Sequence, residues 1–290
     1  MLLCSAHGPA MRAQQMGAVR AIGASDVNRV VKISGSPVSV SPDSSAGSGR
    51  DYFAIEEALD AIGCVTVAIR PSPFMQNFLE QAPLVGHGLL IGPDGEPRAS
   101  FIDAGDIGRV AVTALLCEEP PNSVLEVTGP EALTWFDVAA TMTKVLGRTI
   151  TPQPMSPESI RQTLLGTGRP QWLVEHMLEV GALLRDLKAA EVTDTVKRIT
   201  GQPPTTLDEF LTDRASAFPG GGLTAGGRLA STPRPSATSN AATTTQPRTR
   251  PDHGRDLPTA HRSDLQPKPM TPHRKNSSAT NCRNPIAHCR

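Results

Sequence analysis

Residues 65–77 read VTVAIRPSPFMQN, and residues 101–112 read FIDAGDIGRVAV. The first stretch opens on a β-branched apolar run, Cys64–Ile69, with the composition of a strand buried on both faces. It ends in Arg70-Pro71, then an aromatic-led turn that carries Phe74-Met75-Gln76-Asn77. The second stretch places Asp103 and Asp106 where a helix begins, and Asp is favoured at N-caps and in first turns. Between them the chain is broken by Gly and Pro and reads as hairpin-like. Residues 88–91 and 99–102 are expected to be extended on either side of a Pro93-Asp94-Gly95-Glu96 turn. Phe74–Glu80 is expected to form a short helix.

Outward from this stretch the pattern alternates. Leu2–Ser5 has the look of a strand end, Pro9–Ser25 of a helix, and Val30–Ser34 (VVKIS) of a parallel-sheet strand. A Ser/Pro/Gly loop follows, and apolar residues at Phe53, Ile55, Ala58, Leu59 and Ile62 then give helical spacing. Downstream the reading is extended at 124–127 and helical at 103–117, 134–146, 157–165, 170–184 and 207–214. Thr134 and Asp137 stand at capping-box spacing, and Gly147 is placed to stop that helix. Strands and helices alternating at short intervals predict an α/β fold of βαβ units around a partial doubly wound parallel sheet.

Composition sets the outer limits. The chain has 290 residues and no net formal charge, but the balance is uneven. From residue 219 to the end there are eleven Lys and Arg against three Asp and Glu, and Phe218 is the last aromatic residue. That Ser/Thr/Pro/Gly-rich segment is too poor in apolar surface to offset the entropy of ordering, so it is expected to be a disordered basic tail. Its scattered charge, without aromatic interleaving or amphipathic period, argues against nucleic-acid and membrane partners. No apolar run is long enough for a transmembrane helix, and Met1–Cys4 lacks the regions of a signal peptide. Cys4, Cys64 and Cys117 lie in apolar runs without metal-ligand spacing and read as buried structural thiols, so a soluble cytoplasmic protein without a metal is expected.

The motifs VVKIS at 30–34, IEEALDAIG at 55–63, VAIRPSPFMQN at 67–77, FIDAGDIGRVA at 101–111 and VTGPEALTWFDVA at 127–139 carry a resemblance. LGRTI at 146–150 and ITGQPPTTLDEF at 199–210 continue it. In order and spacing they resemble the NmrA-like branch of the atypical short-chain dehydrogenase/reductases, which bind NAD(P) on a Rossmann-like fold. The resemblance implies a dinucleotide-binding part over residues 1–130 and a helical substrate part over 131–218, followed by the tail at 219–290. It places Met1 near the family's fourth strand, with no GxxGxxG phosphate loop among residues 1–50. Leu2–Ser5 is then an apolar sheet edge, prone to associate with a second copy or a protein partner.

The function implied is hydride transfer from NADP or NAD to a small quinone-, carbonyl- or azo-type acceptor. Three other readings stay open: an enzyme inactive for want of the phosphate loop, a non-catalytic NAD(P)-sensing regulator, and a truncated product without a ligand. Ser34, Pro71 and Phe74 are implied to meet the cofactor, and Asn77 the substrate. Lys32 and Ser34 share one face of their strand. Tyr52, the single tyrosine, is a weak proton-donor candidate. Four residues on stands Glu56 rather than a lysine, and a carboxylate disfavours the phenolate.

Overall fold

The computed structural model describes residues 1–118, 123–185 and 187–220. Of the tail expected over 219–290, all but residues 219 and 220 lies outside the described residues, which belong to one compact unit. Its first layer is a parallel sheet of β1 (Leu2–Leu3), β2 (Arg29–Ile33), β3 (Val65–Pro71) and β5 (Ser123–Val127), in that spatial order. The helices α1 (Met11–Gly23) and α2 (Gly47–Asp60) cover one face. Against the other lie α4 (Ala104–Leu116) and α8 (Thr195–Thr200). Strand periodicity explains the two cores. Val30 points into the cluster with Leu3, Met11, Ile55 and Leu59. Its neighbour Val31 points the other way, to Val67, Ile69, Val110 and Val127. Each such fully buried aliphatic side chain contributes roughly 1.5–3 kcal/mol relative to exposure.

A second sheet pairs β4 (Leu89–Pro93) in parallel with β6 (Thr151–Met155). This corrects the hairpin-like reading of residues 88–102. β4 does not turn back on 99–102: Ala99 instead bridges Leu133, and Ile102 bridges Phe74. The crossover is possible because Gly129 lets the backbones touch; a Cβ there would sit 1.8 Å from the Phe101 carbonyl oxygen. Strand β6 escapes a sequence scan because TPQPM holds two prolines. Pro152 and Pro154 share one orientation, opposite to Thr151, whose N–H donates to the Gly88 carbonyl at 2.8 Å. Their missing N–H groups therefore face away from β4, the arrangement that lets an edge strand tolerate proline.

This second sheet packs with α5 (Trp135–Leu146) and α9 (Leu207–Asp213) around Phe78, Leu90, Met142 and Phe210. The expected capping box is formed. Thr134 Oγ1 accepts from the Asp137 N–H at 3.1 Å, and Asp137 accepts from the Thr134 N–H at 2.8 Å. Gly147 ends the helix at φ 65°. Thr206 and Glu209 form a second box at the start of α9. The remaining helices are α3 (Ala82–Gly86), α6 (Pro157–Gly166) and α7 (Gln171–Leu183), with α3 preceded by a 3-10 turn over Met75–Gln81.

Two expectations change at the sheet's first edge. Only Leu2 and Leu3 of the 2–5 stretch form strand, and among the described residues β1 pairs with β2 alone. Cys4 is exposed there, while Cys64 and Cys117 are half-buried, so none is the fully buried thiol expected. The reason for Cys4 is geometric: it lies past the last paired residue of an edge strand. No helix among the described residues is long and apolar enough to cross a membrane.

Candidate functional site

The carboxyl ends of β2, β3 and β5 and the turns that leave them frame one cleft. Pairing persists past the strand ends: Ser34 N–H donates to the Ile69 carbonyl at 2.8 Å, and Ser72 N–H to Val127 at 2.9 Å. The chain then diverges, with Ser36 and Pro37 on one wall, Ser72 and Pro73 on a second, and Glu126 and Thr128 on a third. Ligands of open parallel sheets bind at this carboxyl edge. The Ser72 hydroxyl is engaged with Ser100 at 2.9 Å, which holds the second wall to the crossing segment.

Beneath the first two walls lies a buried charge cluster. Lys32, Ser34 and Arg70 share the sheet face that α2 covers, and α2 sends down Glu56. Lys32 Nζ donates to Ser34 Oγ at 2.8 Å, and Ser34 in turn donates to Glu56 Oε1. Arg70 grips the same carboxylate with Nη2 at 2.5 Å and Nε at 3.3 Å. Lys32 is wholly buried, and its ammonium stands 4.4 Å from the centroid of the Tyr52 ring, a cation–π contact. Burial, partly opposed by the Glu56 charge, pushes the Lys32 pKa down to about 8. Two cations thus share one carboxylate, and the hydroxyl of Ser34 links them.

The implied site residues fall in different places. Ser34 is buried and committed to Lys32 and Glu56. What it presents toward the cleft is the backbone that runs on to Ser36. Pro71 is buried as the last residue of β3, paired in register with Val127. Phe74 is half-buried; it packs on the core of the α4 face and bridges Ile102. Of the FMQN run, Met75 and Phe78 are core, and Gln76 ties down the start of α4 by accepting from the Ala104 N–H at 3.1 Å. Asn77 alone is exposed.

Tyr52 is half-buried, and its phenol is pushed upward in pKa, first by burial and then by Cys4. Its hydroxyl has no hydrogen bond among the described residues, and its ring edge closes on Gly35, where a Cβ would lie 2.7 Å from the ring. Asp103 caps α4, accepting from the Gly105 N–H at 3.1 Å. Asp106 is fully buried; it pairs with Arg109 and accepts from the N–H and hydroxyl of Thr205 at 2.8 and 3.1 Å. Both aspartates are structural. Among the described residues no group of three or more His, Cys, Asp or Glu is placed to hold a metal.

Sequence reading missed the charge cluster. Lys32, Glu56 and Arg70 are far apart in the chain, and only the register Lys32↔Ala68 between β2 and β3 brings them together. The sole local signal was a lysine inside a β-branched run, which has to find a buried partner.

The chain is 35% identical over 182 residues to an NAD(P)H azoreductase of Xenophilus azovorans, covering 62% of this chain and 64% of that one. It is 32% identical over 172 residues to the uncharacterized oxidoreductase YesF of Bacillus subtilis, covering 58% and 60%. The chain thus spans somewhat less than two thirds of the length of these curated relatives. No family model matches it. Among solved structures, the NADPH complex of the quinone oxidoreductase QOR2 of Escherichia coli superposes with a TM-score of 0.67 at 24% identity, over 73% of this chain and 75% of the other. That likeness concerns the fold. Together with the order and spacing of the VVKIS, IEEALDAIG, RPSPFMQN and IDAGDIGR motifs on β2, α2, β3 and α4, these relatives support the chain's resemblance to NAD(P)-dependent reductases of the NmrA-like type.

Proposed function

We propose that this chain acts in NAD(P)H-dependent reduction of a small quinone-, carbonyl- or azo-type acceptor. The 35% identity to an NAD(P)H azoreductase over 182 residues carries this reading. The nicotinamide end of NADP or NAD then approaches where Gly35–Pro37 and Pro71–Pro73 leave the sheet, at a cleft lined by Ser36, Pro37, Ser72 and Pro73 and also by Glu126 and Glu191. In this reading Pro71 and Phe74 shape the nicotinamide side, Ser34 fixes the adjoining wall, and exposed Asn77 meets the acceptor. Among the described residues, β1 runs into α1 through Ser5–Ala10 without a GxxGxxG turn, so no diphosphate contact is assigned. When bound, the dinucleotide supplies the hydride. The chain's own part is to orient the ring and exclude water.

The same geometry supports a second reading, a dinucleotide-sensing protein without turnover. Tyr52 packs its ring against Gly35 and is not among the residues that line the cleft, so this reading assigns it no proton transfer there. Titrating the full chain with NADPH and NADH, then following loss of the reduced-nicotinamide absorbance on adding menadione or an azo dye, decides. Turnover supports the reductase; binding without turnover supports the sensor; no binding overturns both. The open side of β1 supports association with a second copy or a protein partner through that edge.

A further inference from the structure

Among the described residues, α6 and α7 are the least buried α-helices: α6 buries no side chain and α7 only Val174. They are tied to each other by Arg161 with Glu175. What holds them to the body is polar and aromatic. Arg169 pairs with Glu80 at 3.0 Å and Arg185 with Asp94 at 2.6 Å. On the face of α7 formed by Trp172, His176 and Glu179, the Glu179 carboxylate accepts from the Gly47 N–H at 3.2 Å. His176 Nδ1 lies 3.4 Å from Ser48 Oγ. The His176 ring stacks on His7 with centroids 3.8 Å apart and planes tilted by 31°, and Trp172 stands 6.0 Å from His7.

Two half-buried imidazoles at this separation are held most cheaply when neutral. A proton on one puts a charge in a half-buried site, and protons on both add like-charge repulsion. The charged groups around the pair do not relieve this. Asp51 on α2 attracts His7 but is already paired with Arg12 of α1 at 2.8 Å. Glu179 on α7 is committed to the Gly47 N–H. Burial accordingly pulls both imidazoles down, His176 to about 4, with His7 as the second cause.

We propose that the His7–His176 stack is a pH-operated latch, which holds α6 and α7 against the turn after β1 and the start of α2 at neutral pH and releases them in acid. The sign follows from proton binding. A released His176 titrates near its ordinary value of 6.5, so the latched state binds fewer protons than the released one. Latching is at full strength above that value and weakens as pH falls toward 4.

Hydrogen exchange of the full chain, read by mass spectrometry and corrected for the intrinsic pH dependence of exchange, tests this without reference to any activity. Between about pH 7.5 and 5, amides of residues 171–183 should lose roughly tenfold of their protection relative to β3 and α4. His176→Phe, which keeps a ring but cannot take the proton, should markedly reduce that pH dependence; His7→Phe should reduce it less, because burial still acts on His176. Equal protection of α7 at the two pH values overturns the latch, as does an undiminished pH dependence in both variants. A loss in which β3 and α4 open together with α7 also overturns it, because the helices would not then be a separable unit.

Discussion

Arg70 holds Glu56 in a two-point grip, with Nη2 at 2.5 Å from one carboxylate oxygen and Nε at 3.3 Å from the other. Both side chains are largely buried, at 16% and 8% exposure. The pair joins the end of β3 to the middle of α2. Because Ser34 donates to the same carboxylate, it joins the end of β2 as well. Two walls of the cleft therefore rest on one anion.

Glu56→Ala leaves Lys32 and Arg70 facing each other without a counter-charge. It should destabilise the chain by about 3–5 kcal/mol, the usual result of removing one partner of a buried pair. Glu56→Ala and Arg70→Ala should be non-additive in denaturant melts, the double variant losing clearly less than the sum. Additive losses would mean that the two side chains act independently.

Lys32 has its pKa pushed down to about 8, so the folded chain binds fewer protons than the unfolded chain between that value and the ordinary 10.5. The charged lysine costs stability below pH 8, and the penalty fades as pH rises toward 10.5. Urea denaturation on the two sides of this window should show the wild-type chain gaining stability with pH relative to Lys32→Met. Parallel pH profiles in the two proteins would rule the effect out.

Thr134→Ala removes the capping hydroxyl of α5 and should cost about 1 kcal/mol. Hydrogen bonds from the Thr134 backbone, then from its hydroxyl, hold Asp137 below the usual carboxylate range. The stabilisation is therefore present above the unfolded carboxylate value and lost as pH falls through the lowered one. Thermal melts should find the gap between wild type and Thr134→Ala constant in mild acid and narrower only below about pH 3.8; a gap unchanged there would speak against it.

Asn77 is exposed and adjoins the turn after β3. On the reductase reading, Asn77→Ala should leave the melting temperature within about 2 °C and lower kcat/KM for a quinone by roughly tenfold, the size of one lost hydrogen bond to a ligand. Unchanged kcat/KM would remove Asn77 from the acceptor site.

Leu2 is 47% exposed on a strand that pairs on one side. If association runs through this edge, Leu2→Lys should shift sedimentation toward the monomer, since a charge on an edge strand opposes pairing. An unaltered distribution would place any association elsewhere.

The strands β2 and β3, the helices α2, α4 and α5, the capping box at Thr134 and the stop at Gly147 were legible in the sequence, because each is fixed by local periodicity or by a side chain bonding its own neighbours. The 99–102 segment was not: whether it pairs with β4 or crosses to Leu133 and Phe74 depends on the close approach at Gly129. Nor was β6, whose prolines disguise an edge strand until its partner is known. The charge cluster belongs with these. Nothing in IEEALDAIG tells Glu56 from Glu57, yet the first is buried against Arg70 and the second exposed. Residue order settles which segments become strands and helices, since those energies are local. Which lysine is buried, which carboxylate neutralises it and which backbone lines the cleft are settled only when distant strands come into register, because charges act through space rather than along the chain.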